Sequence, residues 1–308
     1  MTTRPVDHGP AVEPATSEAS EIALRRILWA CDFSSCAVGA LRFVTPIAQA
    51  YGSEITAVHV IPTSLPPNAG AAGLTNPALL RPTLHHDVSS ALDKYVRGAA
   101  EASVPTQVAI REGKPGAEIL ALAAKSAADL IVVGTHGEGA ITLAVLGSVT
   151  EYILERAKCP VLAVPAVALP ASGPLNLKTI LWPTDFSPHA DEALRFALSI
   201  AKRSRARLLL LHVVAGTVPG SGDERVRSAR QRLQVVHDTV RAGGGEAEVI
   251  VVGGGNSAEI LFTARERQAD LIVMGTQGTR FFHSIFFGST AQHVVRSTPC
   301  PVLAVRRA

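Results

Sequence analysis

Gly134-Thr-His-Gly137-Glu-Gly139-Ala-Ile-Thr-Leu-Ala-Val-Leu-Gly147-Ser148 decides how this chain is read. It follows the apolar run Asp129-Leu-Ile-Val-Val133, and a segment of helical spacing then leads into Cys159-Pro-Val-Leu-Ala-Val164. The same order returns 141 residues later. Asp270-Leu-Ile-Val-Met274 is followed by Gly275-Thr-Gln-Gly278, nine residues, Gly288-Ser289, and Cys300-Pro-Val-Leu-Ala-Val305. The chain is a tandem repeat with its glycines at matching offsets.

Gly-x-x-Gly after a strand marks a place where backbone comes close to backbone or to an anion with no Cβ between. Gly-Ser at the start of the next helix adds first-turn N–H groups and a hydroxyl at the positive end of the helix dipole. Together they form a phosphate cradle that needs no lysine. One copy is weak evidence, whereas two copies in register between matching strands and helices are strong.

Working outward, 308 residues suit two domains of roughly 140–150 residues, each with its own core. Apolar residues make 47% and charged residues 18%, with 5% aromatic and 25 glycines, which favours a soluble Ala/Leu/Val-rich α/β design. A net charge of +3 with mixed signs is no nucleic-acid footprint, and no aromatic residues interleave to stack bases. No apolar run approaches a membrane span, and the N-terminus lacks the apolar core of a signal peptide. The expected location is cytoplasmic, with no membrane partner. Cys31, Cys36, Cys159 and Cys300 have no zinc-type or Cys-x-x-Cys spacing. Cys159 and Cys300, each before Pro-Val-Leu-Ala-Val, read as buried small residues at strand starts, and nothing near Cys31 or Cys36 marks either thiol as activated.

In order, residues 1–22 form a tail rich in Pro, Ser, Thr and Glu that reads as disordered. The first domain, 23–165, runs strand 27–32, helix 37–50, strand 54–61, an irregular Pro-rich loop 62–83, helix 84–100, strand 106–111, helix 117–126, strand 129–133, the glycine loop, helix 147–157 and strand 160–164. A linker, 166–176, leads to the second domain, 177–308, where the order repeats. Its strands are 179–185, 207–214, 248–252, 270–274 and 301–305, and its helices 188–203, 224–241, 258–267 and 288–297. Asp32 and Asp185 are 153 apart, as are His59 and His212, so the first domain carries a net 12 extra residues. The loop 62–83 is where they fit. Alternating strands and helices of this length predict parallel sheets with right-handed crossovers. Ligands then sit beyond the carboxyl ends of the strands, where Asp32 and the glycine loop would lie. His59 and His212 read as packed, hydrogen-bonded side chains rather than metal ligands.

The chain resembles a tandem universal stress protein. The resemblance rests on Pro183-Thr-Asp-Phe-Ser187 and Ala30-Cys-Asp-Phe-Ser34, on Val58-His-Val60 and Leu211-His-Val213, and on the glycine motifs and Cys-Pro-Val-Leu-Ala-Val endings. It implies two tandem open five-stranded parallel sheets flanked by helices, an adenine-nucleotide α-hydrolase-like, Rossmann-like α/β fold. The last strands, 160–164 and 301–305, would pair within the chain. A homodimer and an unidentified protein partner are further options. It also implies ATP binding, with Mg2+ as an option. Asp32 and Asp185 would stand at the adenosine end, and the backbones of Val60 and Val213 against adenine. Gly134, Gly137, Gly147 and Ser148 in one domain, and Gly275, Gly278, Gly288 and Ser289 in the other, would hold phosphates. The implied role is a stress-response sensor or regulator.

The chain departs from that pattern in ways that predict unequal sites. The first glycine loop carries Glu138 and no Lys or Arg, whereas the second has Arg280 and His283, which suit phosphate charge. Phe281, Phe282, Phe286 and Phe287 read as core or interface. Gly253-Gly-Gly-Asn-Ser257 reads as looser than Gly113-Lys-Pro-Gly116. No Gly-Lys-Ser/Thr is present for Walker chemistry, and no Gly-x-Gly-x-x-Gly follows a first strand for dinucleotides. The alternatives are a partner-binding module with vestigial or stability-only nucleotide, using the tail or loop 62–83 as its surface, and a slow Mg-dependent ATPase.

Overall fold

A computed structural model describes residues 22–63, 77–136, 146–166, 177–216, 223–277 and 287–307, with side chains from 83 onward in the second segment. The first half runs β1 (Arg26–Ala30), α1 (Ser35–Tyr51), β2 (Glu54–Pro62), α2 (Pro77–Glu101), β3 (Thr106–Gly113), α3 (Pro115–Lys125), β4 (Leu130–Gly134), α4 (Ser148–Arg156) and β5 (Val161–Val164). The second runs β6 (Thr179–Pro183), α5 (Pro188–Ser204), β7 (Arg207–Val214), α6 (Glu224–Ala242), β8 (Ala247–Gly253), α7 (Asn256–Glu266), β9 (Leu271–Gly275), α8 (Ser289–Ser297) and β10 (Val302–Val305).

The expected irregular stretch 62–83 gives way to helix at Pro77, about seven residues early. Proline suits a first helical turn, because its missing N–H is one that a helix start leaves unbonded anyway. Residues 64–76 of that stretch, like the tail 1–21, lie outside the described residues.

Strand order is β3-β2-β1-β4-β5 in one half and β8-β7-β6-β9-β10 in the other, joined as one ten-stranded sheet. Within each half the pairs are parallel. Across the join β5 and β10 run antiparallel, with Leu162 opposite Leu303 and Ala163 opposite Val302. Every residue of both strands is buried. An unpaired apolar edge invites association with another chain, and here each half covers the edge of the other.

Repeated residues build the repeated fold. Trp29 and Trp182 are fully buried, and their indole N–H groups donate to the Ala37 and Ala190 carbonyls at 2.8 and 2.9 Å. Each thus fixes a first strand against the helix that follows it. Asp129 accepts the backbone N–H groups of Arg25 and Arg26, both at 2.9 Å, and Asp270 accepts those of Lys178 and Thr179 at 2.8 and 2.9 Å. The aspartate that opens each fourth strand therefore sets the start of the first.

Helices cover both faces. Side chains such as Ile27, Trp29, Ile180 and Trp182 pack toward α1, α2, α5 and α6, while Leu28, Ile131, Leu181 and Ile272 pack toward α3, α4, α7 and α8. In each half the chain leaves the sheet in opposite directions after β1 and β4, or after β6 and β9. That crevice lies at the carboxyl ends of the strands, the place where open α/β sheets bind ligands.

Candidate functional site

At the end of β1 the chain turns through Asp32-Phe33-Ser34, and at the end of β6 through Asp185-Phe186-Ser187. Phe33 and Phe186 are left-handed, with φ of 63° and 60°, a strained choice for a bulky residue. Three bonds are common to both turns. The Asp32 and Asp185 carboxylates each accept the N–H two residues on at 3.0 Å. Ser34 and Ser187 cap α1 and α5, accepting from Ala37 and Ala190 at 3.2 and 3.3 Å. Their hydroxyls also donate to the carbonyls of His136 and Gln277, at 3.3 and 3.5 Å. The aspartate turn is thereby tied to the start of the glycine loop. A carboxylate has about four acceptor sites, so the turn bond does not exhaust it.

His59 and His212 brace this turn from the neighbouring strand. Nδ1 of each lies 2.8 Å from the carbonyl of Cys31 or Thr184. A carbonyl only accepts, so both nitrogens carry the proton. The rings lie 4.7 and 4.5 Å from those of Phe33 and Phe186. They are packed and hydrogen-bonded, as their sequence context suggested. Burial, and then the Arg232 guanidinium, lower the pKa of His212 against the Thr184 carbonyl bond, which raises it.

Gly134 and Gly275 prove to be glycines for a packing reason. A Cβ on Gly134 would lie 2.9 Å from the Ala37 nitrogen, and one on Gly275 2.8 Å from the His189 carbonyl carbon. The first turns of α1 and α5 press directly on these strand ends. Gly147 and Gly288 begin α4 and α8, and their N–H groups donate to Thr135 and Thr276 carbonyls, both at 2.8 Å. Donors for an anion are therefore the first-turn N–H groups from Ser148 and Ser289 onward. Gly137, Gly278, Arg280, Glu138 and His283 lie outside the described residues.

In the second half these parts enclose a cavity of about 730 Å3. Asp185, Val213, Gly275, Gly288 and Ser289 all line it. In the first half Asp32, Val60, Gly134, Gly147 and Ser148 hold the corresponding places at the ends of β1, β2 and β4 and the start of α4. The turn Gly253-Gly254-Gly255 is no looser than its counterpart: Gly254 has φ of 147° against 148° at Gly113, and both lead into 11-residue helices. The backbone, not the proline, sets that geometry.

Sequence reading alone missed Thr276. It is 3% exposed and lines the cavity, and its buried hydroxyl has no hydrogen-bond partner among the described residues. The equivalent Thr135 hydroxyl lies 2.7 Å from His136 Nδ1. Offset comparison finds the difference, because His136 is replaced by Gln277.

The cysteines are free. Burial raises Cys31 and Cys300 to about 12 and Cys159 to about 11, so they are unreactive thiols at neutral pH. His85 Nε2 pairs with Glu112 Oε1 at 2.8 Å. Among the described residues no cluster of three or more His, Cys, Asp or Glu could hold a metal, and no helix is long and apolar enough to cross a membrane.

Fold and paired crevices define a tandem doubly wound α/β protein. It belongs to the universal stress protein family, whose sequence profile matches residues 23–165 and 176–306. The chain is 37% identical over 135 residues to a Thermus aquaticus protein described as the universal stress protein in the QAH/OAS sulfhydrylase 3' region, covering 42% of this chain and 98% of that one. Over 292 residues it is 28% identical to a universal stress protein of Mycolicibacterium smegmatis, covering 91% and 96%. The crystal structure of a universal stress protein from Archaeoglobus fulgidus matches with a TM-score of 0.73 at 23% identity, covering 92% and 98%.

Proposed function

We propose that this chain binds ATP at the strand ends and acts as a stress-response sensor or regulator rather than a dedicated catalyst. The observation that carries this is the second-half cavity, into which Asp185, Val213, Gly275, Gly288 and Ser289 converge. Its volume falls in the range of about 300–1,000 Å3 usual for small-molecule sites. The first turn of α8 gives it a donor-rich wall suited to phosphate.

In this reading the halves 23–165 and 177–308 are two binding units joined by 166–176. Asp185 takes the adenosine end, the Val213 backbone faces adenine, and Gly275, Gly278, Arg280, Gly288 and Ser289 surround phosphates. Asp32, Val60, Gly134, Gly137, Gly147 and Ser148 do the same in the first half. Mg2+ bound with the nucleotide would offset phosphate charge, and the chain would supply at most a carboxylate to hold it. The second site is the tighter one, since its glycine loop carries Arg280 whereas the first carries Glu138.

The test is acid extraction of the purified protein, with identification and molar counting of the released nucleotide. We expect ATP, and selective loss of the tighter portion in Gly278→Val but not in Gly137→Val. Equal losses would remove the asymmetry. A preparation that releases no nucleotide and takes up no added ATP overturns the reading.

A further inference from the structure

The 141-residue offset aligns one place where the halves exchange chemistry in concert. In the first half α3 begins Pro115-Gly116, and Tyr152 of α4 lies against it. A Cβ on Gly116 would sit 2.6 Å from Cδ1 of the tyrosine ring and 3.0 Å from Cγ. In the second half the same three positions are Asn256, Ser257 and His293, and all three line the cavity. A serine does not fit beneath a tyrosine packed that closely, so Gly116 with Tyr152 and Ser257 with His293 are matched alternatives. One fills the gap between two helix starts with a ring. The other lines it with polar groups.

This compartment lies at a definite end of the cavity. β7 and β8 are neighbours, with Val213 opposite Val252, and the Gly254 N–H donates to the Val214 carbonyl at 3.3 Å. The start of α7 therefore sits beside the end of β7. The first turn of α8, which suits phosphate, approaches from β9. Asn256 is thus placed at the end assigned to the base.

We propose that Asn256, with Ser257 and His293 in the same wall of the cavity, determines base specificity in the second site, and that the first site, where Tyr152 packs on Gly116, lacks this reader. The inference rests on the nucleotide reading above. A primary amide presents one acceptor and one donor side by side. Adenine offers the complement on one edge, an N6 donor next to the N7 acceptor. Guanine offers two acceptors there, O6 and N7, and sets one against the amide oxygen.

The experiment is equilibrium titration of the full chain with ATP and with GTP, in a Gly137→Val background that silences the first site. Thermal melts check folding, which a first-turn surface change such as Asn256→Leu leaves intact. A bidentate amide contact gives about 1–3 kcal/mol of base discrimination, so Asn256→Leu is expected to lower the ATP-to-GTP affinity ratio roughly tenfold. The double variant Ser257→Gly with His293→Tyr is expected to weaken both nucleotides by filling the compartment. Unchanged selectivity in Asn256→Leu, or unchanged affinity in the double variant, while ATP still binds, overturns this inference alone. If no nucleotide binds the unmodified second site, the nucleotide reading falls and this inference with it.

Discussion

At the scale of single residues, the glycines were legible as a pattern but not as a cause. Sequence spacing located Gly134 and Gly275, yet a glycine needed for an anion and one needed for a neighbouring backbone look alike in a string. Only the placement of α1 and α5 separates them. Alanine at Gly275 would press on the His189 backbone at 2.8 Å, and backbone has no rotamer to move. Gly275→Ala is therefore expected to destabilise the chain by roughly 1–3 kcal/mol, as overpacking does. Urea denaturation without nucleotide measures it; a midpoint equal to wild type would show that the helix start yields easily. Thr276 was illegible for a related reason. A threonine after a strand glycine says nothing of whether its hydroxyl finds a partner, because that depends on residue 277 and on packing across the loop.

At the scale of elements, the strands and helices were largely read from hydrophobic period, and the Asp-Phe-Ser turns from their repetition. What the string did not show is how each turn is locked. The histidine on the adjacent strand donates to its carbonyl while its ring packs on the left-handed phenylalanine. That arrangement has a pH consequence in the second half. The folded pKa of His212 is below its unfolded value of about 6.5, mainly through burial. Between the two values the unfolded chain binds more protons, so stability rises with pH there. The His212 contribution is fully present above the unfolded pKa and is lost as pH falls through it toward the folded value. His212→Asn keeps a donor near Nδ1 and removes the titration. The difference in urea midpoint between pH 7.5 and pH 5.5 is expected to be smaller in the variant than in wild type. An equal difference would assign the acid sensitivity to other groups, of which His189, also lowered by burial and by Arg306 and Arg307, is the first to examine.

At the scale of the whole molecule, the tandem sequence announced two similar halves, and the family resemblance implied that β5 and β10 meet. The sequence did not announce that the halves have become complementary rather than merely alike. Glu151 on α4 and Gln292 on α8 occupy equivalent positions and meet across the join, with Gln292 Nε2 donating to Glu151 at 2.7 Å. Arg296 stands 4.0 Å from the same carboxylate, and Arg306 donates to the Glu155 carbonyl at 2.8 Å. Farther along the join, the Arg203 guanidinium lies 4.4 Å over the Tyr51 ring, and the Tyr51 hydroxyl is 2.7 Å from that of Ser199. Two copies of the first half would instead set Glu151 against Glu151, a repulsion of about 0.2–1 kcal/mol if as exposed as a typical surface pair. Separately produced halves, residues 22–166 and 177–308, are expected to combine as a mixed pair in excess of statistical proportion. Native mass spectrometry counts the species, and a purely statistical mixture would show that the join does not discriminate.

The antiparallel join also sets a timetable for biosynthesis. β10 lies in the middle of the finished sheet, yet it leaves the ribosome long after the strand it must cover. At roughly 5–20 residues per second, the chain between β5 and β10, about 140 residues, takes some 7–28 s to make. Throughout that interval a nascent chain carries an uncovered Val161–Val164 edge. Neighbouring nascent chains on one message carry the same edge at the same time. Crowded translation is thus the moment when this protein is most exposed to mispairing.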